Sequence, residues 1–238
     1  TYRSFCAVVM RPSYPTSWFD AIICPQHDGL QENHRVLNTL GTINKIIPPT
    51  AGLPRARQEH LMLFGGISKH YLWDEQNLVQ QVNQICQQDT SKKWTLFDSP
   101  RTPASFVKAV KALKLDNVRL HSFSSEIDSN LASRLPKSAA TWVTPDSMSM
   151  VFESLTAQSP TALFELKPSS IKRPTRVARS IEKLIIDGVA TDFTRWRLQG
   201  SYCMPPKQLW EADRAAVWLL ERYNERHLRR ANYRRFKA

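Results

Sequence analysis

Three short stretches carry residues suited to holding an anion. "GGISKHYLWD" (65–74) offers Gly65 and Gly66, where a backbone can come close to a ligand, followed by Ser68, Lys69 and His70. "DSPRTP" (98–103) offers Ser99, Arg101 and Thr102. "TPDSMSMVFESLTAQSP" (144–160) offers Asp146, Ser147 and Ser149, with Glu153 four residues beyond Ser149. Hydroxyls and an arginine beside a helix start, where the first N–H groups lack partners, make an anion site suited to a diphosphate. A carboxylate one turn further on shares that helix face and could take a ribose diol in two hydrogen bonds. The same residues have a plainer use. Ser and Thr before a helix are ordinary caps, and a carboxylate in the first turns is favoured by the helix dipole.

A fourth stretch, "CPQHDGL" (24–30), places His27 beside Asp28 after a strand-like run. That pair can supply a general base or orient an acceptor hydroxyl, or it can simply bond loop backbone. No HExxH, Walker loop, GxSxG or GxGxxG occurs, which argues against a zinc protease, a P-loop NTPase, an α/β-hydrolase and an NAD enzyme. Cys6, Cys24, Cys86 and Cys203 are widely spaced without a CxxC. Free, buried thiols are expected, with neither disulfides nor a metal site.

These stretches need elements to hold them. Strands are expected at 5–10, 19–25, 61–66, 93–99, 117–123, 139–144 and 161–166. Helices are expected at 73–88, 102–114 (Thr102 as cap, Pro103 first), 129–135, 147–157, 176–187 and about 206–230. The alternation from 60 to 166 predicts an α/β fold with a parallel sheet covered on both faces. In such a sheet ligands bind beyond the carboxyl ends of the strands, and the anion-suited stretches all fall on that edge. The last helix is amphipathic, with Leu209, Val217, Leu220 and the Trp210/Trp218 pair as its apolar contacts.

Residues 1–47 hold two strands and cannot close a domain alone; the chain opens at Thr1 already strand-like, so that domain is expected to be incomplete. The expected division is 1–47, the C-terminal part of an acceptor-side Rossmann-like domain; 48–57, a Pro-rich connector; 58–205, a complete second Rossmann-like domain; and 206–238, an amphipathic helix with a basic tail. Net charge is +12, unevenly spread: residues 167–238 carry 17 Lys and Arg against 7 Asp and Glu. A basic C-terminal third implies anionic partners. Arg226, Arg229, Arg230, Arg234 and Arg235, with Tyr233 and Phe236 among them, suit an anionic membrane surface, or a solvated tail.

"CPQHD…NTLGTINKI", "LFGGISKHYLWD", "SPRTP", "TPDSMSMVFESLTAQSPTALFEL" and "EADRAAVWLLER" resemble, in order and spacing over most of 5–225, a family with two branches. One is the plant "elongated mitochondria" fission protein; the other is a bacterial set of lipooligosaccharide outer-core glycosyltransferases. The TPDSMSM block also resembles the donor-binding region of GT-B glycosyltransferases and sugar-nucleotide epimerases. The resemblance implies a GT-B-like fold of two Rossmann-like domains. It implies diphosphate contacts at Ser147 and Ser149, the ribose on Glu153, Gly65, Gly66 and Ser68 along the same cleft, and Arg101 near the phosphates; Asp146, which opens the same stretch, is counted with the donor site. His27 and Asp28 become acceptor-side or catalytic. "SPRTP" stands where the family pattern has a serine followed by two arginines.

The expected function is metal-independent transfer of a sugar from a nucleotide-sugar to a glycan or lipid-linked acceptor, with no cofactor, in the cytoplasm or peripheral on the inner membrane. The absence of a DxD motif fits this. The alternative is a non-catalytic, membrane-associated scaffold of the mitochondrial-fission type. Nucleic-acid binding comes last, because no recognised reading module is present.

Overall fold

A computed structural model describes residues 4–50, 57–123, 131–204 and 209–235, with side chains to residue 227. Residues 51–56 of the expected connector, Ser129 and Asn130 of the expected short helix, and Lys207 lie outside the described residues, as do the side chains of Arg229, Arg230, Arg234 and Arg235. The chain divides into two compact units. One joins Thr1–Asn44 to Trp210–Ala238; the other is Lys45–Leu209.

The first unit has a parallel three-stranded sheet of β1 (Ala7–Val9), β2 (Ala21–Pro25) and β3 (Val36–Thr39), with β2 central. β3 was not expected from the sequence. Ile22, Cys24 and Val36 pack on one face. Ile23 and Leu37 pack on the other, against Ala215, Trp218 and Leu219 of the last helix. That helix, α7 (Glu211–Arg235), therefore belongs to the first unit instead of standing apart. Its inward face also differs from expectation, since Val217 and Leu220 are exposed. Charged anchors set the rotation. Arg214 Nη2 donates to the Asn38 carbonyl at 2.6 Å, the Leu40 N–H donates to Glu211 at 2.9 Å, and Arg226 pairs with Asp20.

The second unit is a six-stranded, wholly parallel sheet. Its strands are β4 (Glu59–Leu63), β5 (Trp94–Phe97), β6 (Val118–His121), β7 (Ser138–Val143), β8 (Thr161–Leu163) and β9 (Thr191–Asp192), in the order β6-β5-β4-β7-β8-β9. The chain leaves β4 toward one edge, returns to β7 on the other side of β4, and proceeds outward. β4 and β7 thus flank the point where strand order reverses, the crevice used for ligands in open α/β sheets.

Both faces are buried, as near-continuous apolar strands require. Met62, Phe64, Trp94, Leu96 and Trp142 face α1 (Glu75–Gln88) and α2 (Ala104–Ala112). Leu61, Leu63, Phe97 and Val143 face a short α3 (Leu131–Arg134), α4 (Met148–Thr156) and α5 (Arg176–Ile186). Neither β9 nor α6 (Phe193–Gln199) was expected from the sequence; α6 adds Phe193 and Trp196 to the first face. All four cysteines are free, but only Cys24 and Cys86 are buried. Burial pushes the Cys86 thiol up to about 12, so it stays protonated and inert. No helix of the described residues is long and apolar enough to cross a membrane.

Candidate functional site

The carboxyl edge of the six-stranded sheet brings the three anion-suited stretches together. Thr144, just past β7, donates its N–H to the Leu63 carbonyl at 3.0 Å, and its hydroxyl accepts the Gly65 N–H at 2.8 Å. Gly65 is obligatory for space: a Cβ there would lie 2.3 Å from Asp146 Oδ2. Gly66 is obligatory twice over. Its φ is +133°, and a Cβ would lie 2.0 Å from the Arg101 carbonyl oxygen. Three loops thus meet at van der Waals limits.

Much of the polar chemistry here is spent on holding those loops. Ser99 donates its hydroxyl to the Gly65 carbonyl. Thr102 Oγ1 lies 3.0 Å from the Phe64 carbonyl and 2.9 Å from that of Gly65, and it accepts the Ser99 N–H at 2.9 Å. Thr102 is therefore not the cap of α2; Pro103 occupies that position and makes no side-chain cap bond. Ser68 accepts the His70 N–H at 3.1 Å. Arg101 Nη1 lies 3.1 Å from Asp146 Oδ2 and donates to the Ile67 carbonyl at 3.2 Å.

The Asp146 side chain is 1% exposed and that of Arg101 44%. Burial pushes the Asp146 carboxyl above its usual range, and the Thr144 hydroxyl, Arg101 and the Gly66 N–H pull against it. Asp146 holds Arg101 at its inner end and fills the space that Gly65 leaves open, while the Arg101 and Thr102 backbone fills the space beside Gly66.

The start of α4 is different. Asp74, Thr175 and Asp192 each cap their helix through the side chain, on Asn77, Ala178 and Arg195. Ser147 occupies the cap position of α4, yet its side chain makes no cap bond. The plain capping reading thus fails for Ser147. The first-turn N–H groups, which carry the positive end of the helix dipole, gain nothing from its hydroxyl. Ser147 is buried, Ser149 exposed, and Glu153 half-buried on the next turn. Burial raises the Glu153 carboxyl above its usual range, while Lys45 draws it down.

His27 and Asp28 form a single 3-10 turn (Gln26–Asp28) at the carboxyl end of β2, in the first unit. His27 Nε2 is 3.9 Å from Asp28 Oδ1, beyond hydrogen-bond reach, and its side chain is 9% exposed. Burial lowers the imidazole pKa, outweighing Asp28. The ring is neutral at pH 7 and can accept a proton. Arg226, expected on an anionic surface, instead pairs with Asp20 and lies over the Phe5 ring. No local pattern marks the Arg101–Asp146 pair, whose members stand 45 residues apart.

No curated protein matches this sequence. Solved structures similar to the chain include MurG of Acinetobacter baumannii, at 14% identity and a TM-score of 0.44, covering 76% of this chain and 49% of that one. CalG4, the calicheamicin glycosyltransferase, matches at 12% and 0.46, covering 86% and 49%. MnaA of S. aureus with UDP matches at 11% and 0.40, covering 72% and 52%. The chain thus spans about half the length of each of these three. A family model described as "Mitochondrial fission ELM1" matches residues 1–223, and the chain belongs to that family.

Proposed function

We propose that the second unit binds a nucleotide-sugar at the β4/β7 crevice, and that the whole protein transfers its sugar to a glycan or lipid-linked acceptor. One observation carries this reading: at the switch point of a parallel sheet, a helix whose cap-position serine makes no cap bond starts beside two close-packed glycines. A half-buried glutamate follows one turn on. The diphosphate would lie on the N–H groups of Met148 and Ser149, with Ser147 and Ser149 as hydroxyl donors. Glu153 would take the ribose diol. Arg101, held by Asp146 but still 44% exposed, would face the charge that develops on the departing diphosphate. That charge stabilisation would stand in for a metal. His27 would act on the acceptor side as a base, kept neutral by burial.

The family description names mitochondrial fission, and the second reading is a non-catalytic scaffold associated with a membrane. A thermal-shift screen of uridine, guanosine and cytidine diphosphates and their sugars separates the two. A ligand present at one hundred times its dissociation constant stabilises its binder by about 2.7 kcal/mol. A scaffold without a nucleotide site shows no shift with any of them.

A further inference from the structure

We infer that the loop joining β8 to α5, together with the first turn of α5, is a docking element for an anionic lipid surface. The inference stands apart from the nucleotide reading. Residues 167–179, "KPSSIKRPTRVAR", contain Lys167, Lys172, Arg173, Arg176 and Arg179 and no acidic residue. All five are exposed. Lys167, Lys172, Arg173 and Arg179 have no acidic partner among the described residues, and neither has Lys69 on the adjoining loop.

The loop has a fixed course. Leu72 N–H donates to the Lys167 carbonyl at 2.9 Å, Ser169 N–H to the His70 carbonyl at 3.0 Å, and Ser169 Oγ to the Lys69 carbonyl at 2.8 Å. His70 Nδ1 lies 3.2 Å from Thr175 Oγ1 at the start of α5. Buried Tyr71 closes the underside, bridging to Pro168. Two loops are therefore tied into one ridge on the carboxyl edge of the sheet.

The apolar residues of this ridge decide what kind of anion it meets. Ile171 is 83% exposed and stands directly before Lys172 and Arg173. Ile67 and Leu72, on the loop tied to it, are exposed as well. A site for a soluble phosphate gains nothing from an isoleucine in water. An interfacial loop does, because the side chain enters the headgroup boundary while flanking cations meet anionic lipid. The ridge lies on the same edge as the start of α4, so docking would turn that edge toward the bilayer.

The test is co-sedimentation of the full chain with vesicles of phosphatidylglycerol and phosphatidylcholine, or of phosphatidylcholine alone, at low and high salt. Binding is expected only to the anionic vesicles and should weaken with salt. The double charge reversal Lys172→Glu with Arg173→Glu should lower the partition coefficient at least about 25-fold, each basic residue near the surface counting for roughly fivefold. Ile171→Ser should lower it by about fivefold and leave the salt dependence unchanged. All three positions are exposed, and an unaltered circular dichroism melt shows that folding is intact. Truncation after Tyr223 should leave most of the binding. Equal sedimentation with neutral vesicles would overturn the inference. So would loop variants that bind like the parent, loss of all binding on truncation, or displacement by millimolar inorganic pyrophosphate, which marks a site for soluble anions.

Discussion

Replacing Gly65 by Ala tests the way the three loops interlock, without reference to any ligand. The new methyl would lie 2.3 Å from Asp146 Oδ2 and 2.8 Å from its Cγ and Oδ1, all well inside ordinary contact. The neighbour that must give is a carboxylate 1% exposed, held 3.1 Å from Arg101. Moving it breaks that pair in the interior. Overpacking costs about 1–3 kcal/mol, and a displaced buried charge adds to it, discounted because Arg101 is 44% exposed and can turn to water. The expected loss is about 3 kcal/mol. Asp146→Ala alone should cost about 1–2 kcal/mol, since the carboxylate it removes was itself expensive to bury. Combined, the two should not add, because the second substitution opens the space that the first one needs. The double variant should lose about 2 kcal/mol where additivity would give about 4–5, a coupling of about 2–3 kcal/mol. Urea unfolding followed by the fluorescence of buried Trp94 and Trp142 reads all four proteins. Additivity to within about 0.5 kcal/mol would show that the glycine is not there to make room for the carboxylate. Gly66→Ala is the control. It meets the Arg101 backbone and sits at φ +133°, so Asp146→Ala should not rescue it.

Glu153→Ala should weaken nucleotide binding by about 1–3 kcal/mol in calorimetry if a charged hydrogen bond to ribose is lost; unchanged affinity in a folded variant removes the residue from the site. Glu153→Gln should raise the melting temperature at pH 7.5, and the gain should shrink as the pH falls toward 4. The folded carboxyl titrates above its unfolded value, so its penalty appears as pH rises through the folded pKa. A gain that is constant across this range would refute the burial argument. His27→Ala should reduce sugar transfer by about 10²–10⁴-fold with nucleotide affinity unchanged, the loss expected for a general base; normal turnover places the base elsewhere.

The second unit was largely legible because its longer strands sit in apolar runs and its helices carry clear apolar spacing. Short elements were not. "VLNT" of β3 is four residues between Arg35 and Leu40 with no alternation to mark it, and β9 is two residues long. At the site, the glycine pair and the Ser147 position could be read, because close approach and helix starts have local signatures. The partners of the hydroxyls could not. Ser99 and Thr102 look like helix caps in sequence, yet they serve the Gly65 carbonyl more than 30 residues away. The face of α7 was misjudged for a similar reason. Val217 and Leu220 are apolar, but Arg214, Glu211 and Arg226 fix the rotation through distant partners, turning Ala215, Trp218 and Leu219 inward.

The split course of the first unit sets an order of events during synthesis. Leu40 receives its partner Glu211 from a point 171 residues later. Ile23 and Leu37 have no cover from Ala215 and Trp218 until α7 has left the ribosome. The stretch Lys45–Leu209 is continuous and can close as soon as it emerges, at translation rates of about 5–20 residues per second. For roughly ten seconds or more the nascent chain would thus carry a three-stranded sheet with one apolar face bare. Tracts of that kind are where chaperones bind. A stop codon before Ala215 would strip the sheet of its lid for good, even though it would leave every residue of the β4/β7 crevice in place.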